Sequence, residues 1–264
     1  MLLDNRRAVL GRRSRVHHLY QGENNTLLLR RDLFLFEDPL MLLPRLLIRL
    51  YSTWARRTYP FAAIGHDVEI HPSLNLPKYL AHRVKLGNSV RIDKDVELGV
   101  SCPHRLEAGE PVIVIDDGCV IARRSQISAR NGVHLEPDVI LSASVLIMDH
   151  GHSYEDIAVP IKKQGITDGG RIRIGRGCWI GHAAAIICEK GELILGCNSV
   201  VGANAVVTRS VPPYSVVSGN PARVVKHFDP AKGLWALGSS RSTGSDCAID
   251  DRLPHFPVVG TSGR

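Results

Sequence analysis

Several common protein classes are excluded by what this chain lacks. Its six cysteines, at 102, 119, 178, 188, 197 and 247, include no Cys-x-x-Cys pair. Neither a zinc ribbon nor a disulfide framework is written in that spacing, and reduced thiols filling small buried positions are expected. Aromatic residues make up only 5% of the 264 residues. The basic residues are not interleaved with them, which argues against a base-stacking nucleic-acid surface, so no nucleic-acid partner is expected. The Arg-rich N-terminal region has no apolar run long enough for the h-region of a secretory signal, so a cytoplasmic placement is expected. Further on, Pro44, Arg45 and Arg49 break a leucine-rich stretch before it reaches bilayer-spanning length. What is present is apolar material for one core: 44% hydrophobic residues, enough for a single domain with terminal additions.

The dominant positive signal is a six-residue phase. Ile174-Gly175-Arg176-Gly177-Cys178-Trp179 is followed by Ile180-Gly181-His182-Ala183-Ala184-Ala185, and Leu195-Gly196-Cys197-Asn198-Ser199-Val200 by Val201-Gly202-Ala203-Asn204-Ala205-Val206. The same phase runs through Ile64 and Ile70, through Leu80, Leu86, Ile92 and Leu98, through Ile115, Ile121 and Ile127, and through Leu135, Leu141 and Ile147. Neither helical spacing near 3.6 nor strict alternation fits these residues. A solenoid does: an aliphatic side chain at every sixth position points inward and stacks on its counterpart in the next coil, removing both from water. Gly or a small residue next in line is expected to let the chain turn a tight corner, with positive φ tolerated there. The phase breaks twice, between Gly99 and Pro111 and between His150 and Arg171, and such insertions emerge as loops where binding residues tend to sit.

Charge is placed unevenly. The first 60 residues hold eleven arginines against five acids, giving +6 of the formal +7. Within them Asp38 can cap a helix with Pro39 in its first position, over residues 39 to 57. Leu40, Leu43, Leu47, Leu50 and Trp54 then share one face and Arg45, Arg49 and Arg56 the opposite one. Two roles follow: the apolar face covers the open end of the solenoid, or the basic helix lies on an anionic membrane surface. The expected organisation is a basic extension over 1–63, a solenoid domain over 64–226 and a tail over 227–264. That tail is Gly-, Ser- and Thr-rich and loosely ordered, with local packing open to Trp235 and Phe256.

Three segments carry a family resemblance. Trp179-Ile180-Gly181, the run Val201 to Arg209, and Gly219-Asn220-Pro221-Ala222-Arg223-Val224-Val225-Lys226 resemble the hexapeptide-repeat acyltransferases. Asp149-His150-Gly151-His152, with Pro160-Ile161 and Gln164-Gly165, resembles the branch that O-acetylates sugars of surface polysaccharides. The resemblance spans about residues 64–226. It implies an all-β left-handed parallel β-helix, a homotrimer, and transfer of an acetyl group from acetyl-CoA, without a metal, to a hydroxyl of a sugar or lipid-linked saccharide.

The same resemblance implies the site. The attacking hydroxyl must lose a proton, and an imidazole suits that work; His150 stands where the family places its base, with His152 as second candidate. Asp149 or Glu155 would fix the tautomer of that ring. Backbone N–H groups around Gly181 and His182 would meet the developing oxyanion, although many family members carry Ser where this chain has His182. Trp179 either shapes the acyl channel or packs between subunits. Ala203, Thr208 and Arg209, and the segment with Gly219, Asn220, Pro221, Arg223 and Lys226, match positions that meet coenzyme A; the cations are otherwise solvated surface charges. Two other functions use this scaffold: a γ-class carbonic anhydrase, for which His150, His152 and His182 are available, and a non-catalytic β-helix.

Overall fold

The computed structural model describes residues 42–101, 110–229 and 232–238. The expected Asp38 cap with Pro39 and Leu40, residues 102–109 of the first interruption, and residues 239–264 of the tail, with Phe256, lie outside the described residues. The chain divides into two units at Leu46/Leu47. Of the first unit, residues 42–46 are described, at the start of helix α1 (Leu42–Thr58).

The second unit climbs in coils of short strands. The first coil holds β1 (Ala63–Ile64) and β2 (Glu69–Ile70), and the second β3 (Val84–Leu86), β4 (Arg91–Ile92) and β5 (Glu97–Val100). The third holds β6 (Ile113–Ile115), β7 (Val120–Ile121) and β8 (Gln126–Ala129), and the fourth β9 (Val133–Leu135), β10 (Ile140–Leu141) and β11 (Leu146–Met148). The fifth holds β12 (Gly169–Ile174), β13 (Trp179–Ile180) and β14 (Ala185–Ile187), and the sixth β15 (Lys190–Leu195), β16 (Val200–Val201) and β17 (Val206–Val207). Equivalent strands stack in parallel into three sheets: β1-β3-β6-β9-β12-β15 as face 1, β2-β4-β7-β10-β13-β16 as face 2, and β5-β8-β11-β14-β17 as face 3. On face 2, β18 (Ser215–Ser218) adds in parallel, and β19 (Arg223–Asp229) and β20 (Leu234–Leu237) fold back antiparallel. Strand β19 thus crosses the 226/227 boundary expected from sequence. Trp235 does pack locally, 5.7 Å from Phe228 between ring centroids.

The six-residue phase is the register of these ladders. Leu86, Ile115, Leu135, Ile174 and Leu195 are successive partners on face 1. Face 2 stacks Ile70, Ile92, Ile121, Leu141, Ile180, Val201 and Val217, and face 3 stacks Leu98, Ile127, Ile147, Ile186 and Val207. All are at most 2% exposed, and burying each stabilises the coil by roughly 1.5–3 kcal/mol. Leu80 keeps the phase but not the strand. It lies in a 3₁₀ turn, Lys78–Arg83, with its side chain buried.

The corners work differently from the expectation. Positive φ falls on the third residue after the inward aliphatic, not the first: Asp67, Ser89, Asp95, Asp138, Ser144, Asn198 and Asn204 have φ between 52° and 63°. Short polar side chains tolerate that conformation. The glycine directly after the aliphatic answers a close approach between coils instead. A Cβ on Gly181 would stand 2.7 Å from both Ala203 N and Val201 O.

Helix α1 also turns a different face from the one expected. Ser52 and Ala55 are buried, and the Ile70 N–H donates to Ser52 Oγ at 2.8 Å, tying the helix to the first coil. The expected capping residues Leu43, Leu47, Leu50 and Trp54 are exposed. Among the described residues no helix is long and apolar enough to cross a membrane. Cys119, Cys178 and Cys188 are free and buried, whereas Cys197 is disulfide-bonded, against the expectation of reduced thiols throughout.

Candidate active site

Strand β11 delivers the first candidate residues. Ile147 is locked between Ile127 and Ile186 on face 3. Two and three residues later, at the edge where face 3 turns into face 1, come Asp149 and His150. The Asp149 side chain is fully buried. Its Oδ1 accepts the Arg130 N–H at 2.7 Å, and its Oδ2 accepts the N–H of Asn131 at 2.9 Å and of Gly132 at 2.8 Å. Three amides from the coil below therefore replace the water that burial removes.

A fourth donor reaches the same carboxylate. His150, 7% exposed, holds Nδ1 2.9 Å from Asp149 Oδ1. Its Nε2 lies 2.8 Å from Ser101 Oγ. A carboxylate that only accepts puts the proton on Nδ1 and leaves the Nε2 lone pair to accept from the Ser101 hydroxyl. The arrangement is Ser101, His150, Asp149 in line, with one ring nitrogen committed and the other able to take a proton.

The other expected catalytic groups sit apart. His152 is exposed, with Nδ1 3.3 Å from the Gly165 carbonyl oxygen. Glu155 accepts the Tyr154 N–H at 3.0 Å and has no hydrogen bond to the His150 ring. The loop they occupy is held by Gln164, whose Nε2 donates to the carbonyls of Asp156 at 2.8 Å and Val159 at 2.7 Å, next to the short helix α2 (Ile161–Gln164). At the start of the loop Gly151 presses against the Glu189 carboxylate, so a Cβ would collide there.

Two coils above His150, on the same edge, are Thr208 and Arg209. They line a cleft of 410 Å³ with Ile187, Cys188, Glu189, Lys190, Glu192 and Leu193. The cleft offers an apolar wall with two cations, Lys190 and Arg209, and two carboxylates, Glu189 and Glu192; the apolar wall suits a long pantetheine arm and the cations its phosphates.

The remaining expected residues lie elsewhere. Trp179 is half exposed on face 2, where its Nε1–H donates to Ser142 Oγ at 2.9 Å. Gly181, His182 and Ala203 occupy the edge between faces 2 and 3. The Gly181 N–H is already donated to the Val201 carbonyl at 2.8 Å. Among the described residues the N–H groups of His182 and Ala203 have no such partner, so donor capacity on this edge belongs to them. Asn220 and Pro221 follow β18, where the Ala222 N–H donates to Val206 O at 2.8 Å, and Arg223 and Lys226 belong to β19. Thus one chain gathers Asp149, His150, Thr208 and Arg209 on one edge, and Gly181, His182, Ala203 and Asn220 beside the other. Within one chain His150, His152 and His182 do not converge, and the described residues contain no group of three or more His, Cys, Asp or Glu side chains able to hold a metal ion.

Sequence reasoning missed Ser101 and the Arg130–Gly132 amides. The phase itself names them: Ser101, Arg130 and His150 each stand three residues after an inward aliphatic of face 3, namely Leu98, Ile127 and Ile147.

Among solved structures, AntD, an N-acyltransferase from Bacillus cereus solved with dTDP and 3-hydroxybutyryl-CoA, superposes with a TM-score of 0.53. The match covers 66% of this chain and 86% of that one at 17% identity. The chain shares that fold, a left-handed parallel β-helix. Among curated relatives, a Mycobacterium tuberculosis protein named as an acetyltransferase is 32% identical over 165 residues, 62% of this chain. The chain spans about half of that relative's length, 49%. WbbJ of Escherichia coli, named as a lipopolysaccharide biosynthesis O-acetyl transferase, is 26% identical over 159 residues, 58% of this chain and 79% of WbbJ. No family model matches the chain.

Proposed function

We propose that the protein is a coenzyme A-dependent acyltransferase that moves an acetyl group from acetyl-CoA to a hydroxyl of a saccharide acceptor. The observation that carries this reading is the buried Asp149–His150 pair, with Nε2 turned toward a hydroxyl, on the edge that also bears the cleft of Thr208 and Arg209. In the proposed reaction the acceptor hydroxyl takes the place of Ser101 Oγ at Nε2. His150 accepts its proton as the acceptor oxygen bonds to the thioester carbonyl carbon, and Asp149 stabilises the imidazolium that forms. The His182 N–H meets the oxyanion. As the carbon–sulfur bond breaks, His150 returns the proton to the departing sulfur, leaving an ester and a free thiol. Thr208, Arg209 and Lys190 would hold the donor. WbbJ's name favours both a saccharide acceptor and oxygen as the atom acylated.

Such chemistry needs both edges, and one chain keeps them apart. Crossing face 3 takes about six extended residues, roughly 20 Å. A cyclic homotrimer resolves this by setting the His150 edge of one copy against the His182 and Ala203 edge of the next. Apolar residues left exposed on the second unit, Ile140 and Trp179 on face 2 and Tyr154, Ile157 and Ile161 on the loop, suit contact with another copy.

The test is a panel of saccharide acceptors scored by release of coenzyme A thiol. His150→Ala should lower turnover by about 10²–10⁴-fold while donor affinity and solution mass stay unchanged. Undiminished turnover would reject His150 as the base, and no thiol release with any acceptor would count against the activity.

A further inference from the structure

Helix α1 presents three distinct sides. At about 100° per residue, Ile48, Ser52 and Ala55 form the side seated on the first coil, where Ser52 Oγ receives the Ile70 N–H. Capping of the solenoid is therefore complete without the leucines. Leu47, Leu50 and Trp54 form a second side and are 49–58% exposed; Leu43 and Leu46 earlier in the helix are exposed as well. The third side carries Arg49 and Arg56, and Arg57 follows at the helix end.

We propose that this uncovered stripe docks the protein on an anionic lipid surface. Four features on the page select that occupant. First, large apolar side chains clustered in the open mark a contact surface rather than ordinary exposure. Second, the helix contains no acid, and Arg49 and Arg57 face no carboxylate among the described residues, so the rim of the stripe is purely cationic. A second copy applied symmetrically would bring these arginines against their own kind, whereas anionic headgroups neutralise them. Third, the stripe runs into an aromatic cluster: Tyr51–Trp54 at 5.4 Å, Trp54–Tyr59 at 5.8 Å and Tyr59–Phe61 at 5.8 Å between ring centroids, with Lys78 Nζ 5.9 Å from the Tyr59 ring. Aromatic rings beside ammonium groups suit the headgroup layer of a bilayer. Fourth, Arg45 and Arg49 keep the helix from crossing, so it lies in the interface with its leucines about 5–10 Å deep.

The inference stands apart from the acyltransferase reading, and its test does not need the reaction. Full-length protein is floated with vesicles of phosphatidylcholine alone and of phosphatidylcholine with phosphatidylglycerol. Flotation is expected with the anionic vesicles, with at least tenfold less on the neutral ones. Leu47→Glu/Leu50→Glu and Arg49→Glu/Arg57→Glu should each reduce it at least tenfold. Since a charged leucine variant can misfold, Trp54 emission is read in a Trp179→Phe/Trp235→Phe background that leaves the helix intact, and a blue shift on adding anionic vesicles is expected. No flotation and no shift with anionic vesicles would overturn the proposal. So would undiminished flotation of the leucine variant, or a fall in its solution mass, which would make the stripe a contact between copies.

Discussion

A histidine serves as a base only when one ring nitrogen is held and the other is left to act, and the Asp149–His150 pair has that form. Replacing Asp149 with Asn keeps the volume but lets the side chain donate as well as accept, which frees the ring to adopt the wrong tautomer. Asp149→Asn is expected to lower turnover by about 10²-fold or more, read as thiol release, with donor affinity held; turnover within a few-fold of wild type would remove Asp149 from the mechanism. Cys119 and Cys178 are unreactive for a different physical reason. Burial pushes the Cys119 and Cys178 thiols up to about 12. The reactive thiolate exists only as pH climbs toward that value, so at pH 8 iodoacetamide should leave both unmodified in the native protein and label them after denaturation. Asp149 and His150 were singled out in the sequence because the motif around them, at the mouth of an insertion, resembles the family's. Ser101 was not singled out, since a lone Ser beside an insertion says nothing until the six-residue phase sets it in the same column as His150.

Among the elements, the strands were legible and the helix orientation was not. A buried aliphatic at every sixth position fixes the stacking, because a slip of one residue would carry Ile121 or Leu141 to the surface. Ile121, fully buried between Ile92 and Leu141, tests that packing. Ile121→Ala should cost about 2–5 kcal/mol and lower the chemical denaturation midpoint, and an unchanged midpoint would mean that the column bears little of the stability. Helix α1 shows where pattern reading stops. Periodicity ranks its sides by hydrophobicity, and the leucine side outranks the one bearing Ser52 and Ala55. The coil end takes the weaker side because an edge strand with free amides needs a hydroxyl acceptor and small residues that allow close approach. Glycine at the corners misled in a similar way: its value at Gly181 lies in the space a Cβ would take from the next coil, a property of two coils that no single hexapeptide displays.

At the largest scale, the proposed site divides between two edges of the three-sided coil formed by the second unit. That division could not be read from the sequence, where Ile147, Ile180 and Val201 look equivalent and no residue announces which edge it borders. A site assembled from neighbouring copies predicts complementation. His150→Ala removes the base on one edge, and Ala203→Trp, at an exposed position, blocks the other without disturbing the core. Each variant alone should be nearly inactive in thiol release with a competent acceptor. Co-assembled in equal amounts into mixed trimers, they should regain roughly a quarter of wild-type activity, the share of interfaces that pair two intact edges. Activity no greater than the sum of the two parents, in trimers verified as mixed, would contradict a site shared between copies.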